Sequence, residues 1–126
     1  MMTTGVMATA IAAMMATIAV VKAPKAGGAN GRTVGEVYAQ RTQLKDKTVA
    51  VQGTVVKFSA NILDRNWIHL RDGSGSAANG SNDLLVTTKQ TVKVGDVVVA
   101  SGPVKTDVNY GSGYAYPVVI EDAKLN

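Results

Sequence analysis

Between Trp67 and Arg71 the chain alternates. Ile68 and Leu70 fall at one parity, and Trp67, His69 and Arg71 at the other. Successive side chains of a β-strand point to opposite faces. The stretch therefore predicts a strand whose Ile68 and Leu70 enter a core. Its other face carries the chain's single Trp, its single His and a guanidinium. Asp72-Gly73-Ser74-Gly75 follows with turn chemistry, because Gly accepts positive φ and Asp bonds nearby backbone. Four more β-rich runs are Thr48–Phe58, Asp83–Thr88, Asp96–Val104 and Ala115–Ala123. Gly53 interrupts the first and Gly102 the third of these, as glycines do where strands bend or bulge. Turn clusters at 60–66, 72–82, 93–95 and 107–113 separate the runs. Short, bent strands favour a closed barrel over an open sheet, because closure removes sheet edges. The pattern thus predicts an all-β domain built as a five-stranded barrel.

Ahead of the strands the pattern changes. Thr33-Val34-Gly35-Glu36 fits a capping box, and Val34, Val37, Tyr38 and Leu44 lie at helical spacing. This predicts a short N-terminal helix over 34–42, with Tyr38 packed on the core. Residues 23–32 are Gly, Ala, Lys and Pro in the main, the composition of a flexible linker. Residues 5–21 form an uncharged apolar run rich in Ala and Met. Its character matches the apolar region of an export signal, although no basic segment precedes it. A single membrane anchor is the rival reading, since a span needs about 17–25 apolar residues. A buried helix of the domain is the third. The expected organisation is a signal peptide or anchor over 1–26, a linker over 27–32 and a folded domain over 33–126. A cleavage site among the small residues would start the mature chain near 24–30. The location expected is then periplasmic or extracellular, or membrane-anchored through 5–21.

Charge and cysteine content narrow the chemistry. Thirteen Lys and Arg against nine Asp and Glu give a net charge of +4. Lys22 and Lys25 precede Gly31, which leaves 11 basic against 9 acidic residues beyond it, a net of +2. A polyanion site would have to come from arrangement rather than excess. With no cysteine, disulfides and thiolate metal sites are excluded.

Three segments resemble a known family. They are Val51-Gln52-Gly53-Thr54-Val55-Val56, then Trp67-Ile68-His69-Leu70-Arg71-Asp72-Gly73-Ser74-Gly75, then Val94-Gly95-Asp96-Val97-Val98-Val99-Ala100-Ser101-Gly102. Together they resemble the OB-fold, and more narrowly the anticodon-binding, tRNA-anti-like OB domain of aminoacyl-tRNA synthetases. The export-like start makes the whole chain similar to small stand-alone bacterial OB proteins described as nucleotide- or DNA-binding. The resemblance covers about residues 47–123 and implies a five-stranded Greek-key OB barrel. It also implies that Trp67 stacks on a base, with His69 and Arg71 facing the same way. The loop 76–82 is longer than the family's pattern, and no synthetase catalytic domain is present.

The candidate nucleic-acid-binding residues are Trp67, His69, Arg71, Lys57, Phe58, Arg65, Tyr110 and Tyr114. Single strands are held by aromatic stacking along a basic groove, and OB-folds place that groove on strands two and three. Lys57, Phe58 and Arg65 flank the first hairpin. Tyr110, Tyr114 and Tyr116, interspersed with glycines, form a second aromatic cluster before the last strand. The alternatives are structural: Trp67 covering a barrel end, Arg71 paired with an acid, Tyr116 in the core. His69 has no second His or Cys to join it in a metal site. Asp72–Asp83 has the length of a calcium loop but lacks its acids and Gly. Ser, His and Asp are not arranged as a nucleophile and base. No catalytic residue, metal or cofactor is expected. The expected partner is single-stranded nucleic acid, or alternatively a protein or envelope component contacted by an exported adaptor.

Overall fold

The computed structural model describes residues 23–126. Residues 5–21, to which the export signal or anchor is assigned, lie outside them. Among the described residues no helix is long and apolar enough to cross a membrane. Two short helices, α1 (Val34–Ala39) and α2 (Arg41–Leu44), precede five strands. These are β1 (Thr48–Ile62), β2 (Arg65–Arg71), β3 (Leu84–Thr88), β4 (Val97–Asn109) and β5 (Ala115–Leu125). They close into a ring in the order β1-β2-β3-β5-β4. The sheet is mixed: β3 pairs parallel to β5, and the other neighbours are antiparallel.

The interior follows from the alternation. Val51, Val55, Ile68, Leu70, Val86, Val104, Val118 and Ile120 are fully buried. Val34, Val37 and Leu44 of the helices join the same cluster, so the helical segment seals the barrel. The single helix expected over 34–42 is divided at Gln40, which leaves helical geometry at φ −105° and ψ 15°. That break turns the chain so that Leu44 also reaches the core. Thr33 and Glu36 form the capping box, with Thr33 Oγ1 accepting from Glu36 N and Glu36 Oε1 from Thr33 N. The Thr33 N–H is also the main reason the Glu36 pKa is lowered. Tyr38 packs on the core and donates its hydroxyl to the Asp83 carbonyl at 2.5 Å.

Four strands run longer than the sequence pattern predicts. The loop expected over 60–66 shrinks to Leu63-Asp64, a two-residue turn between Ile62 and Arg65. Both residues have positive φ, 54° and 61°, as a type I′ hairpin requires. Asp tolerates that conformation, but Leu63 gives no sign of it. β1 pairs with β4 from Thr48 to Thr54, and with β2 from Thr54 onward. At the change of partner Gly53, Thr54 and Val55 are all buried. A Cβ on Gly53 would stand 3.0 Å from the Arg71 carbonyl oxygen. The register then shifts between Val55 and Lys57. This bulge exchanges the faces, so Phe58 points inward opposite Ile68 and Lys57 points outward opposite His69.

Residues 23–32 differ from the linker that their composition predicts. Ala23 N donates to the Asp72 carbonyl, Ala50 N to Asn30 O and Arg32 N to Ala50 O, each at 3.0 Å. Ala26 is buried, and Gly31 bridges to Ala50 in parallel. A Cβ on Gly31 would meet the Ala26 carbonyl oxygen at 1.9 Å. The small residues serve close backbone approach, so the segment is a strap along the barrel. A mature start inside 24–30 would cut it. A chain beginning at Thr33 should lose about 2 kcal/mol relative to one beginning at Ala23, from three backbone hydrogen bonds and the Ala26 contact. That lowers Tm by roughly 10 °C; equal Tm values would contradict the strap.

Asp72 is 2% exposed. Its Oδ2 accepts from Val34 N at 2.9 Å, and its Oδ1 from Ser74 N at 3.0 Å and Ser74 Oγ at 2.5 Å. Ser74 Oγ in turn accepts from Gly35 N at 2.8 Å. The turn after β2 thereby satisfies two N–H groups that the first turn of α1 cannot pair internally. Asp72→Ala leaves the Val34 N–H buried and unpaired. It should cost about 2–4 kcal/mol in a urea titration, with Asp72→Asn milder; a neutral effect of Asp72→Ala would remove this role.

Candidate functional site

The outward parity of β2 meets a matching set on its neighbours. Across β1, Ser59 lies opposite Trp67 and Lys57 opposite His69. Across β3, Thr87 lies opposite Trp67 and Leu85 opposite His69. Except for Thr87, which is fully buried, these residues form the floor and one side of a cleft of about 400 Å³. Ile62 and Leu63 of the β1–β2 hairpin line one rim. Tyr110, Gly111, Ser112 and Tyr114 of the β4–β5 turn line another, with Tyr116 from β5.

The aromatic wall is held rather than loose. Trp67 and Tyr110 meet edge to face, with ring centroids 4.8 Å apart. Tyr116 lies 6.2 Å from Tyr110. Trp67 Nε1 donates to the Ile62 carbonyl at 2.8 Å, across the hairpin. Tyr110 donates its hydroxyl to Glu121 Oε2 at 2.5 Å. Burial, then the Glu121 carboxylate, pushes the Tyr110 pKa far above the ordinary phenol value. The Arg65 guanidinium stands over both rings, 5.7 Å from the Trp67 centroid and 6.0 Å from that of Tyr110, a cation–π geometry. Among the described residues neither Lys57 nor Arg65 has a carboxylate partner within salt-bridge distance.

His69 is set differently. Its Nδ1 lies 2.8 Å from Asp83 Oδ2. Arg71 Nε lies 3.5 Å from Asp83 Oδ1, an ionic contact without hydrogen-bond geometry, so that buried oxygen has no hydrogen-bonded partner. Burial raises the Asp83 pKa, but the His69 contact and the Arg71 charge outweigh it and leave the carboxyl below its usual value.

The structure brings Trp67, His69, Lys57, Tyr110 and Tyr114 together around one cleft, with Arg65 above its rings. It does not bring Phe58 or Arg71 there. Phe58 packs on the core, because the bulge after Val55 turned it inward. Arg71 is engaged with Asp83 outside the cleft lining. Ser59, Ile62, Leu63 and Leu85 line the cleft without having been singled out from the sequence. Continuing the alternation from Lys57 to Ser59 would have found the first. Asp83 was not foreseen as the partner of His69, because the pair is 14 residues apart. Among the described residues no group of three metal-ligating side chains converges.

No family model matches the chain, and no curated protein matches it. Solved structures do. One is an OBody, AM3L09, bound to hen egg-white lysozyme, at 16% identity and TM-score 0.56. That likeness covers 79% of this chain and 94% of the other. Another is a putative aspartyl-tRNA synthetase from Leishmania major Friedlin, at 17% identity and TM-score 0.54. It covers 90% of this chain but only 24% of the synthetase. At these identities the likeness is one of fold.

The Asp83 contact has a pH signature. A carboxyl held below its usual value takes up its proton at lower pH in the folded chain than in the unfolded one. The stabilisation is complete well above 3.8, the unperturbed value, and is lost as the pH falls through the folded-state pKa. Asp83→Asn should therefore flatten the acid limb of the Tm profile between about pH 5 and pH 2. An acid limb as steep as that of the parent would show that the contact contributes nothing.

Proposed function

We propose that this chain is an OB-fold protein whose cleft binds single-stranded nucleic acid, or an oligonucleotide-like ligand, without catalysing a reaction. The observation that carries the reading is the Trp67–Tyr110 wall with Lys57 and Arg65 beside it, neither held by a carboxylate among the described residues. Stacking on such a wall is worth about 1–3 kcal/mol per base, and the cations supply phosphate contacts. The cleft lies on the β2 face between the β1–β2 and β4–β5 hairpins, where OB-folds bind oligomers. Its volume is that of a site for one small-molecule-sized unit rather than a long channel. The fold shared with a stretch of a putative tRNA synthetase agrees with this reading. Residues 5–21 are taken, on sequence alone, to direct export or to anchor the chain.

A second reading has its own observation. Ile62, Leu63 and Tyr114 are 50%, 58% and 61% exposed along the cleft rim. An apolar rim suits a protein partner, and the OBody neighbour is seen bound to a protein, lysozyme. In this reading the barrel is an adaptor.

Trp67 is the only Trp, so its fluorescence reports on the cleft alone. Short oligonucleotides at low salt should quench it, and the affinity should fall by a slope of about 0.7 per phosphate contact as salt rises. Lys57→Ala should reduce that slope by roughly one contact. Trp67→Ala, which removes the fluorophore and is read by the anisotropy of a dye-labelled oligonucleotide, should weaken binding by about 5- to 150-fold. No response at low salt would reject nucleic acid. Capture of a protein partner that fails for Leu63→Asp, with no oligonucleotide bound, would favour the adaptor.

A further inference from the structure

We propose that His69 reads the edge of the bound base as a hydrogen-bond acceptor, in a tautomer that Asp83 fixes. The inference deepens the nucleic-acid reading of the cleft and rests on it. His69 lines the cleft from the outward face of β2, between Lys57 of β1 and Leu85 of β3. Its Nδ1 lies 2.8 Å from Asp83 Oδ2. An ionised carboxylate only accepts, so Nδ1 must carry a proton. In the neutral ring Nε2 is then bare, and it can only accept.

No described residue uses that atom. Nε2 makes no hydrogen bond among the described residues, and the only buried polar side-chain atom left without a partner is Asp83 Oδ1. Nε2 is therefore open to an incoming group. Arg71, on the same strand, faces the other Asp83 oxygen and keeps the carboxylate ionised. Around the ring the remaining charged group is Lys57, which also cannot accept, and the apolar neighbour is Leu85. An acceptor placed there demands a donor, N–H or O–H. A fully ionised phosphate has none. The amino and imide N–H groups of nucleobases have one. The cleft therefore assigns its two tasks to different places: Lys57 and Arg65 meet phosphate, and His69 meets the base edge. Asp83 acts through His69 and is a positioning residue.

Because His69 is the chain's only histidine, its imidazole ¹⁵N shifts report the tautomer directly, with no variant needed. In the spectrum of the neutral ring the proton should sit on Nδ1. A proton on Nε2 would overturn the assignment. The selectivity is read with two pairs of oligonucleotide probes by Trp67 quenching. Oligo-adenine should bind roughly 3- to 10-fold tighter than the same oligomer of unsubstituted purine, which lacks the amino group, as expected for one hydrogen bond. Oligo-thymine should likewise exceed its N3-methylated form. Asp83→Asn, whose amide can donate to Nδ1 and leave the proton on Nε2, should abolish both preferences while the quenching by stacking remains. Equal binding of each pair to the parent chain would overturn the His69 assignment and leave the cleft reading standing. No binding of any probe would overturn both.

Discussion

A carboxylate buried where β2 ends governs how this barrel closes. Asp72 is nearly inaccessible, and a charge in that position is tolerable only when its lone pairs are used. They are: the carboxylate takes backbone N–H groups from α1 and from its own turn, plus the Ser74 hydroxyl. The carbonyl of the same residue takes the Ala23 N–H of the strap. One residue therefore ties a strand, a helix and the segment ahead of them. Val34 and Val37 reach the interior only because α1 is held in this place.

The closing helix also reaches the cleft. Tyr38 of α1 donates to the Asp83 carbonyl, and the Asp83 carboxylate holds His69. A residue whose ring packs on the core thus steadies, two links away, a ring that faces solvent. The remaining contacts are matters of parity. With Ile68 and Leu70 inward, Trp67 and His69 stand outward. The register places Ser59 and Lys57 beside them from one side and Leu85 from the other. The cleft is a by-product of a strand that obeys its own alternation.

Much of this is legible along the chain because local chemistry and tertiary demand agree. The alternation at 67–71 predicts its own faces, the Thr33–Glu36 capping box starts a helix, and the β-branched runs become strands. Legibility fails where a distant contact decides. Phe58 belongs to the outward face by simple counting, and a bulge after Val55 reverses it. The turn at Leu63-Asp64 has positive φ at a leucine, which no turn preference announces. Residues 26–31 have the composition of a free linker, yet their smallness is what lets the backbone lie against β1. Arg71 sits on the parity of Trp67, but an acid from the loop before β3 draws it away. For Gly31 and Arg71 the missing information is which partner, distant in sequence, the fold brings up.

The tied polar tips of Trp67 and Tyr110 set what a planar ligand would encounter under the proposed reading. Neither ring has to be frozen on arrival, since folding has already fixed both, and preorganised surfaces bind with less entropic loss. The Arg65 guanidinium already stands over this pair of rings, 5.7 and 6.0 Å from their centroids. Under the proposed reading, a base that stacked on either ring would have to share that space with the cation. The protein's own arginine would then set a threshold that weakly stacking groups fail to pass.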